Sequence, residues 1–110
     1  MKKEFVPYEL ASKMKQLGFD EPCLASYYHA GRRLDICEYI NHGEYTVLAP
    51  TYSQAFRWFR EKYNVHIRIE KYDETKWWAN WGSWTSEVYD SYEEAELACL
   101  EKLIEIVENK

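Results

Sequence analysis

No run of apolar residues in this chain is long enough to span a bilayer, and the lysines at its start lead into Glu4 and Pro7, not into the apolar stretch of a secretion signal. A cytoplasmic protein with no membrane contact is expected. Cysteine is scarce. Cys23, Cys37 and Cys99 are an odd number at no framework spacing, which argues against a disulfide-stapled fold and for reduced thiols. Positive charge is short as well. The net charge is −5, and it is uneven: residues 1–64 carry nine Lys/Arg against eight Asp/Glu, whereas residues 65–110 carry five against eleven. A nucleic-acid binder needs a concentrated basic surface to displace counterions from phosphates. Here there are only the pairs Lys2–Lys3 and Arg32–Arg33, with Arg57 and Arg60, so general DNA or RNA binding is disfavoured. The G-x-S-x-G, P-loop, G-x-G-x-x-G and H-E-x-x-H patterns are all missing. No cofactor and no enzymatic activity are expected.

What the chain does have is aromatic surface: ten Tyr, five Trp and four Phe in 110 residues. Large rings help a short chain close a core, and they are also over-used at interfaces. The length suits one α+β domain, 1–110, around one core. Pro7 at a first helical position, Leu10, Met14 and Leu17 on one face and Gly18 as a stop predict a helix from Tyr8 to Leu17. Cys23–His29 and Leu34–Ile40 read as strands of a hairpin around Ala30-Gly31-Arg32-Arg33, with Tyr45-Thr46-Val47-Leu48 as a third short strand. Ala49-Pro50 ends the extended segment. Thr51 and Gln54 form a capping box for a helix to about Tyr63, with Tyr52, Ala55, Phe56, Phe59 and Tyr63 as its apolar stripe, Asn64 as its C-terminal turn, and Arg57 four residues before Glu61.

From Val65 to Tyr89 the pattern is a three-stranded antiparallel meander. If Tyr72 pairs with Lys76 around Asp73-Glu74-Thr75, Ile69 faces Ala79 and Ile67 faces Trp81. The turn Gly82-Ser83 then sets Trp81 beside Trp84, Ala79 beside Ser86 and Trp77 beside Val88. One face holds Val65, Ile67, Ile69, Trp77, Ala79, Trp81, Trp84 and Val88; the other holds His66, Arg68, Glu70, Trp78, Asn80, Thr85, Glu87 and Tyr89. Ser91 and Glu94 open a last helix over 92–108. Its apolar residues cover about 200° at 100° per residue, wider than one stripe. Such a helix touches the sheet and either another helix or a partner chain, which makes a homodimer through the C-terminal helix a candidate. Helices packed mainly on the apolar face of an antiparallel sheet, in α-β-β-β-α order through the second half, are the expected architecture.

Several constellations could carry chemistry. Cys23, His29, Cys37 and His42 are zinc-ligand types, but the tight C-x2–4-C knuckle of structural sites is absent, so buried thiols and surface imidazoles are the better reading and no metal is expected. Cys99 lies among apolar helix residues and reads as core. Glu96 lies inside the apolar arc near the helix start, where the helix dipole accounts for a carboxylate. Trp77-Trp78-Ala79-Asn80-Trp81 is the most informative stretch, because adjacent strand residues point to opposite faces and Trp77 and Trp78 cannot be buried together on one side. Trp78 falls on the polar face. The candidate binding surface is therefore Trp78, Arg68, His66, Asn80 and Tyr89. A second small core on this face is the competing reading of Trp78.

The stretches FVPYELASKMKQLGFDEPC, APTYSQAFRWFREKYNVH and SYEEAELACLEKLIEIV resemble small proteins of no assigned function carried by prophages and other mobile elements of gut Bacteroidales. The likeness spans the beginning, middle and end of the chain and leaves out residues 25–48. It implies a cytoplasmic accessory protein of a mobile element and brings no site residues with it. The α-β-β-β-α order of residues 51–108 is similar to that of the double-stranded-RNA-binding fold. RNA-binding members begin their last helix with lysines, whereas this chain has Ser91-Tyr92-Glu93-Glu94, which would repel phosphate. The function expected is non-enzymatic protein–protein interaction. A nucleic-acid-associated role for an aromatic and basic sheet face, and a small hydrolase with an unrecognised site, are the alternatives.

Overall fold

The computed structural model describes residues 4–28, 34–36 and 46–109. The elements run α1 (Tyr8–Gln16), β1 (Ala25–Tyr28), β2 (Leu34–Ile36), β3 (Thr46–Ala49), α2 (Tyr52–Tyr63), β4 (Arg68–Lys71), β5 (Trp77–Trp81), β6 (Trp84–Thr85) and α3 (Tyr92–Glu108). The fold is α+β, with two antiparallel three-stranded sheets in the orders β2-β1-β3 and β4-β5-β6. The chain divides into two compact units, Met1–Ala55 and Phe56–Lys110, with the boundary inside α2. No helix among the described residues is long and apolar enough to cross a membrane.

In the first unit α1 packs on β3 and buries Leu10, Ala11 and Met14. Its C-terminus closes as sequence dictates. Gly18 adopts a left-handed conformation (φ 102°), its N–H reaches the Lys15 carbonyl at 3.0 Å, and the Phe19 N–H reaches the Met14 carbonyl at 2.9 Å. This is the paired-bond arrangement that a glycine directly after the helix cap, Leu17, permits, and Phe19 and Met14 are both buried. β1 lies in the middle of its sheet, pairing Tyr27 with Leu34 on one side and with Val47 on the other. The predicted hairpin is therefore present, with β1 starting at Ala25 and β3 at Thr46. Residues 37–40 of the second predicted strand, and Tyr45 of the third, lie outside the described residues. The Tyr27 hydroxyl donates to the Val6 carbonyl at 2.8 Å. The capping box before α2 is only half made. Thr51 Oγ1 accepts from the Gln54 N–H at 3.2 Å, but the Gln54 amide turns away to donate to Glu21 Oε1 and the Pro22 carbonyl.

The second unit starts within α2, where Trp58 and Phe59 are buried and Phe56 and Tyr63 are half-buried. Trp58 lies beside the predicted stripe. Its ring meets Phe59 and Tyr63 edge-on, and the Lys62 ammonium sits over it at 5.0 Å, so a cationic residue completes its cover. Asn64 takes the left-handed conformation (φ 56°) expected of it. The Val65 N–H then bonds back to the Phe59 carbonyl at 3.4 Å, so the chain is still leaving the helix and β4 begins at Arg68 instead of Val65. Val65 and Ile67 are buried in this lead-in.

The β4–β5 register is the predicted one, with Ile69 opposite Ala79 and Glu70 opposite Trp78. Between the strands the Asp73 carboxylate accepts from the N–H groups of Thr75 and Lys76, each at 2.9 Å, which holds its pKa below the usual carboxylate range. The turn at Gly82-Ser83 also forms, setting Trp81 opposite Trp84 and Asn80 opposite Thr85. Beyond Thr85 the register departs from expectation. The Ala79 N–H bonds to the Ser86 hydroxyl (2.8 Å) while the Ser86 N–H bonds to the Ala79 carbonyl (2.9 Å). A side-chain oxygen thus takes the place of a ladder carbonyl, one extra residue enters the returning chain, and Trp77 pairs with Tyr89, not with Val88. Val88 is left exposed.

α3 lies against β4 and β5. Ser91 caps it, accepting from the Glu94 N–H at 3.2 Å. Ala95, Cys99, Leu100, Leu103, Ile104 and Val107 are buried, so most of the wide apolar arc is covered within the chain, and Leu97 is its exposed margin. Glu96 is the fifth residue of the helix, beyond the first turn that holds Glu93 and Glu94, so the dipole does not account for it. Partial burial, and then Glu93, raise its pKa.

Two outcomes follow. A Cβ added at Gly82 (φ 57°) meets no atom within 4 Å, so Gly82→Ala should cost only backbone strain, about 1–2 kcal/mol by urea unfolding, and Gly82→Asn less. A larger loss would mean that the turn supports packing. Because the raised pKa of Glu96 means that the native state holds this proton more tightly than the unfolded chain, its contribution to stability is lost as pH rises through the carboxylate range. Glu96→Gln should therefore raise the melting temperature at pH 7, with the gain shrinking toward pH 3.

Candidate functional site

The second sheet's two faces differ in kind, and β5 divides them. Trp77 and Ala79 point toward α3. Ala79 is fully buried, and the Trp77 ring meets Tyr92 of α3 edge-on with centroids 5.1 Å apart. Trp78 and Asn80 must point the other way. That opposite face brings together four side chains from facing strands. Glu70, directly opposite Trp78, accepts from Asn80 Nδ2 at 3.0 Å and lies 3.7 Å from Arg68 Nη2. Trp78 is half-buried, and its exposed neighbour Tyr72 packs against it edge-on, centroids 5.2 Å apart. The result is an aromatic pair within a polar frame, in which one carboxylate is shared between an amide and a guanidinium.

Of the five residues predicted for this surface, Trp78, Arg68 and Asn80 meet as expected. His66 precedes β4 and lies on the wall of a groove along that strand, beside Arg68. Tyr89 is a correction. Residues directly opposite in an antiparallel pair share a face, so its pairing with Trp77 turns it to the α3 side. There it lines a shallow groove with Trp84, Ala98 and Lys102, and partial burial, followed by Glu87, Glu101 and Glu94, raises its pKa. Its place in the frame is taken by Tyr72 and Glu70. Both were legible: Glu70 as Trp78's cross-strand partner, and Tyr72 as the next residue on the same face after Arg68 and Glu70 in the register that pairs it with Lys76.

The thiols offer no nucleophile in the described region. Cys23 donates to the Glu21 carbonyl at 3.3 Å, and burial first, then Glu21, push its pKa up to about 12. Cys99 is fully buried beneath the sheet, 4.0 Å from the Ile67 carbonyl, and burial first, then Glu96, push it up to about 12. A thiolate is the reactive form, and both environments oppose it. His29, Cys37 and His42 of the zinc-type pattern lie outside the described residues. Among those described, no group of three or more His, Cys, Asp or Glu is placed to hold a metal ion.

No protein-family model, curated protein or solved structure matches this chain.

With Cys37 replaced by Ser, iodoacetamide at pH 8 should label Cys23 and Cys99 in the folded protein far more slowly than in urea. Because both pKa values are raised, the folded state keeps two protons that the unfolded chain sheds above about pH 9, so stability should fall between pH 9 and 12. Rapid labelling of the folded protein by mass spectrometry would contradict this assignment.

Proposed function

We propose that this chain is a non-enzymatic accessory protein of a mobile genetic element, acting in the cytoplasm by binding another protein through the face that carries Trp78. The mobile-element part rests on the three stretches of sequence likeness. The binding part is carried by one observation: the half-buried Trp78, paired with exposed Tyr72 and framed by Arg68, Glu70 and Asn80. Tryptophan in a polar rim is the composition of interface anchors, because it buries a large apolar area at the cost of few rotamers. Arg68 and Glu70 offset each other, so the frame orients a partner by hydrogen bonds more than by attraction at long range.

The same geometry weighs against a nucleic-acid partner. Stacking on Trp78 would bring a phosphate chain past the Glu70 carboxylate, which lies directly opposite the ring's own residue and already occupies Arg68.

A tagged full-length protein should retain a partner from a Bacteroidales lysate, and Trp78→Ala should lose it at least about tenfold, as truncation of an interface anchor does. The half-buried ring should cost the fold about 1–2 kcal/mol by urea unfolding. Equal recovery by both proteins, or an Ala variant too unstable to fold, would mean that Trp78 is packing and not contact surface.

A further inference from the structure

Among the described residues, the outer edge of β4 presents backbone groups that no strand pairs, in a defined pattern. The Tyr72 N–H donates to the Lys76 carbonyl at 2.9 Å, which makes that a bonded pair. Bonded pairs recur at every second residue of an antiparallel ladder, so Arg68 and Glu70 turn their N–H and C=O toward β5, and Ile69 and Lys71 turn theirs away. The other side of β5 agrees: the carbonyls of Ala79 and Trp77 accept from the Ser86 and Tyr89 N–H groups of the returning chain. In the order β4-β5-β6 no strand among the described residues covers the outward groups of Ile69 and Lys71. A groove of about 400 Å³ runs along this edge, walled by residues 66–70 and by Phe56, Arg60 and Tyr92.

Proteins commonly blunt such an edge with charge. Here the order of the charges decides whether they blunt it. When a second copy lies antiparallel with its two-fold axis at Ile69, Arg68 falls opposite the partner's Glu70 and Glu70 opposite the partner's Arg68. The outward N–H and C=O of Ile69 exchange two hydrogen bonds with the partner's Ile69. Only alternate registers are open to the same outward groups. Moving the axis one way sets Glu70 against the partner's Glu70, and moving it the other way sets Arg68 against the partner's Arg68. Like charges directly across strands are destabilising, so the sequence Arg68-Ile69-Glu70 selects one register. In that register the half-buried Ile69 side chains meet on the α3 side, near Tyr92, which is 40% exposed.

We propose that the protein self-associates as a two-fold dimer by antiparallel pairing of the β4 edges of two copies, Ile69 against Ile69, forming one six-stranded sheet. The occupant of the groove is thus a second copy of this chain. The interface is isologous, as two-fold symmetry requires, and short strands make it small, so the dimer dissociates on dilution. It does not use α3, whose Leu100, Leu103 and Ile104 are at most 1% exposed, or the Trp78 ring, and it shares Arg68 and Glu70 with the polar frame of that ring. Because Arg68, Glu70 and Trp78 share a face, the dimer carries two Trp78 sites side by side, which goes beyond the binding role proposed above.

The test is sedimentation equilibrium across a concentration series at low salt, on the full chain, for the wild type, Arg68→Glu, Glu70→Arg and an equimolar mixture of the two variants. Each variant alone places like charges at both cross-strand positions, and the mixture restores opposite charges at both. The expected result is a wild-type dimer, a loss of about tenfold or more in association for each variant alone, and recovery in the mixture. A wild type that is monomeric to millimolar concentration, variants that associate as the wild type does, or a mixture no stronger than its components would each overturn the proposal. Both positions are exposed, and circular dichroism confirms folding of each variant. Trp78→Ala should dimerise as the wild type does, which separates this outcome from the partner-binding test.

Discussion

The burial of Ala79 on the α3 side of β5 is the constraint from which the second sheet's organisation follows. A residue with no exposed surface fixes which way its strand faces, and strand alternation then leaves no freedom to its neighbours: Trp77 joins Tyr92 on the helix side, and Trp78 goes to the other. Cross-strand pairing carries the consequence to β4, where Ile69 follows Ala79 and Glu70 follows Trp78. One small side chain thereby sets the composition of both faces. A larger one would press on α3, which lies against β5.

What could be read in the sequence was what local chemistry decides. Gly18 and Asn64 end helices because the chain there needs a left-handed residue, and Ser91 begins one because its hydroxyl caps a helix N–H; each signal is complete within a few residues. The β4–β5 register was legible because Val65, Ile67 and Ile69 alternate with His66, Arg68 and Glu70, and the loop at Asp73-Glu74-Thr75 fixes which residues of β5 they meet. The return strand was not, because the Ser86 hydroxyl replaces a main-chain acceptor, and alternation cannot show that a side chain will enter the ladder. That one bond shifts the pairing by a residue and carries Tyr89 from the predicted surface to the helix side. Trp58 escaped for a related reason. Its cover includes Lys62, and a cation lying over an indole reads in sequence as a solvated face. Gln54 likewise matched a capping pattern, yet its amide is taken by Glu21 and Pro22, more than thirty positions earlier.

Charge and aromatic content, both conspicuous in the composition, are placed to different ends. The acidic excess of residues 65–110 is concentrated along the exposed side of α3, where Glu94, Glu101, Glu105 and Glu108 are all exposed. The Trp78 face, by contrast, carries Arg68 and Glu70 in balance. Net charge therefore says little about that face. A repulsive helix surface and a neutral, hydrogen-bonding sheet surface discourage non-specific anion binding in different ways, one by potential and the other by occupying its own cation.

The breadth of α3's apolar arc and the openness of β4's edge are linked. A helix that buries Ala95, Cys99, Leu100, Leu103, Ile104 and Val107 has spent its apolar surface within the chain, leaving Leu97 at the margin. Among the described residues, the outward backbone groups of Ile69 and Lys71 at the β4 edge are then the bonding capacity that apolar packing leaves open on this strand. Apolar surface is non-directional and accepts any complementary shape, whereas a strand edge accepts only another strand at a fixed spacing. Association through such an edge is governed by register, and register here is decided by two charges separated by one isoleucine. The specificity of the edge is therefore written in three residues.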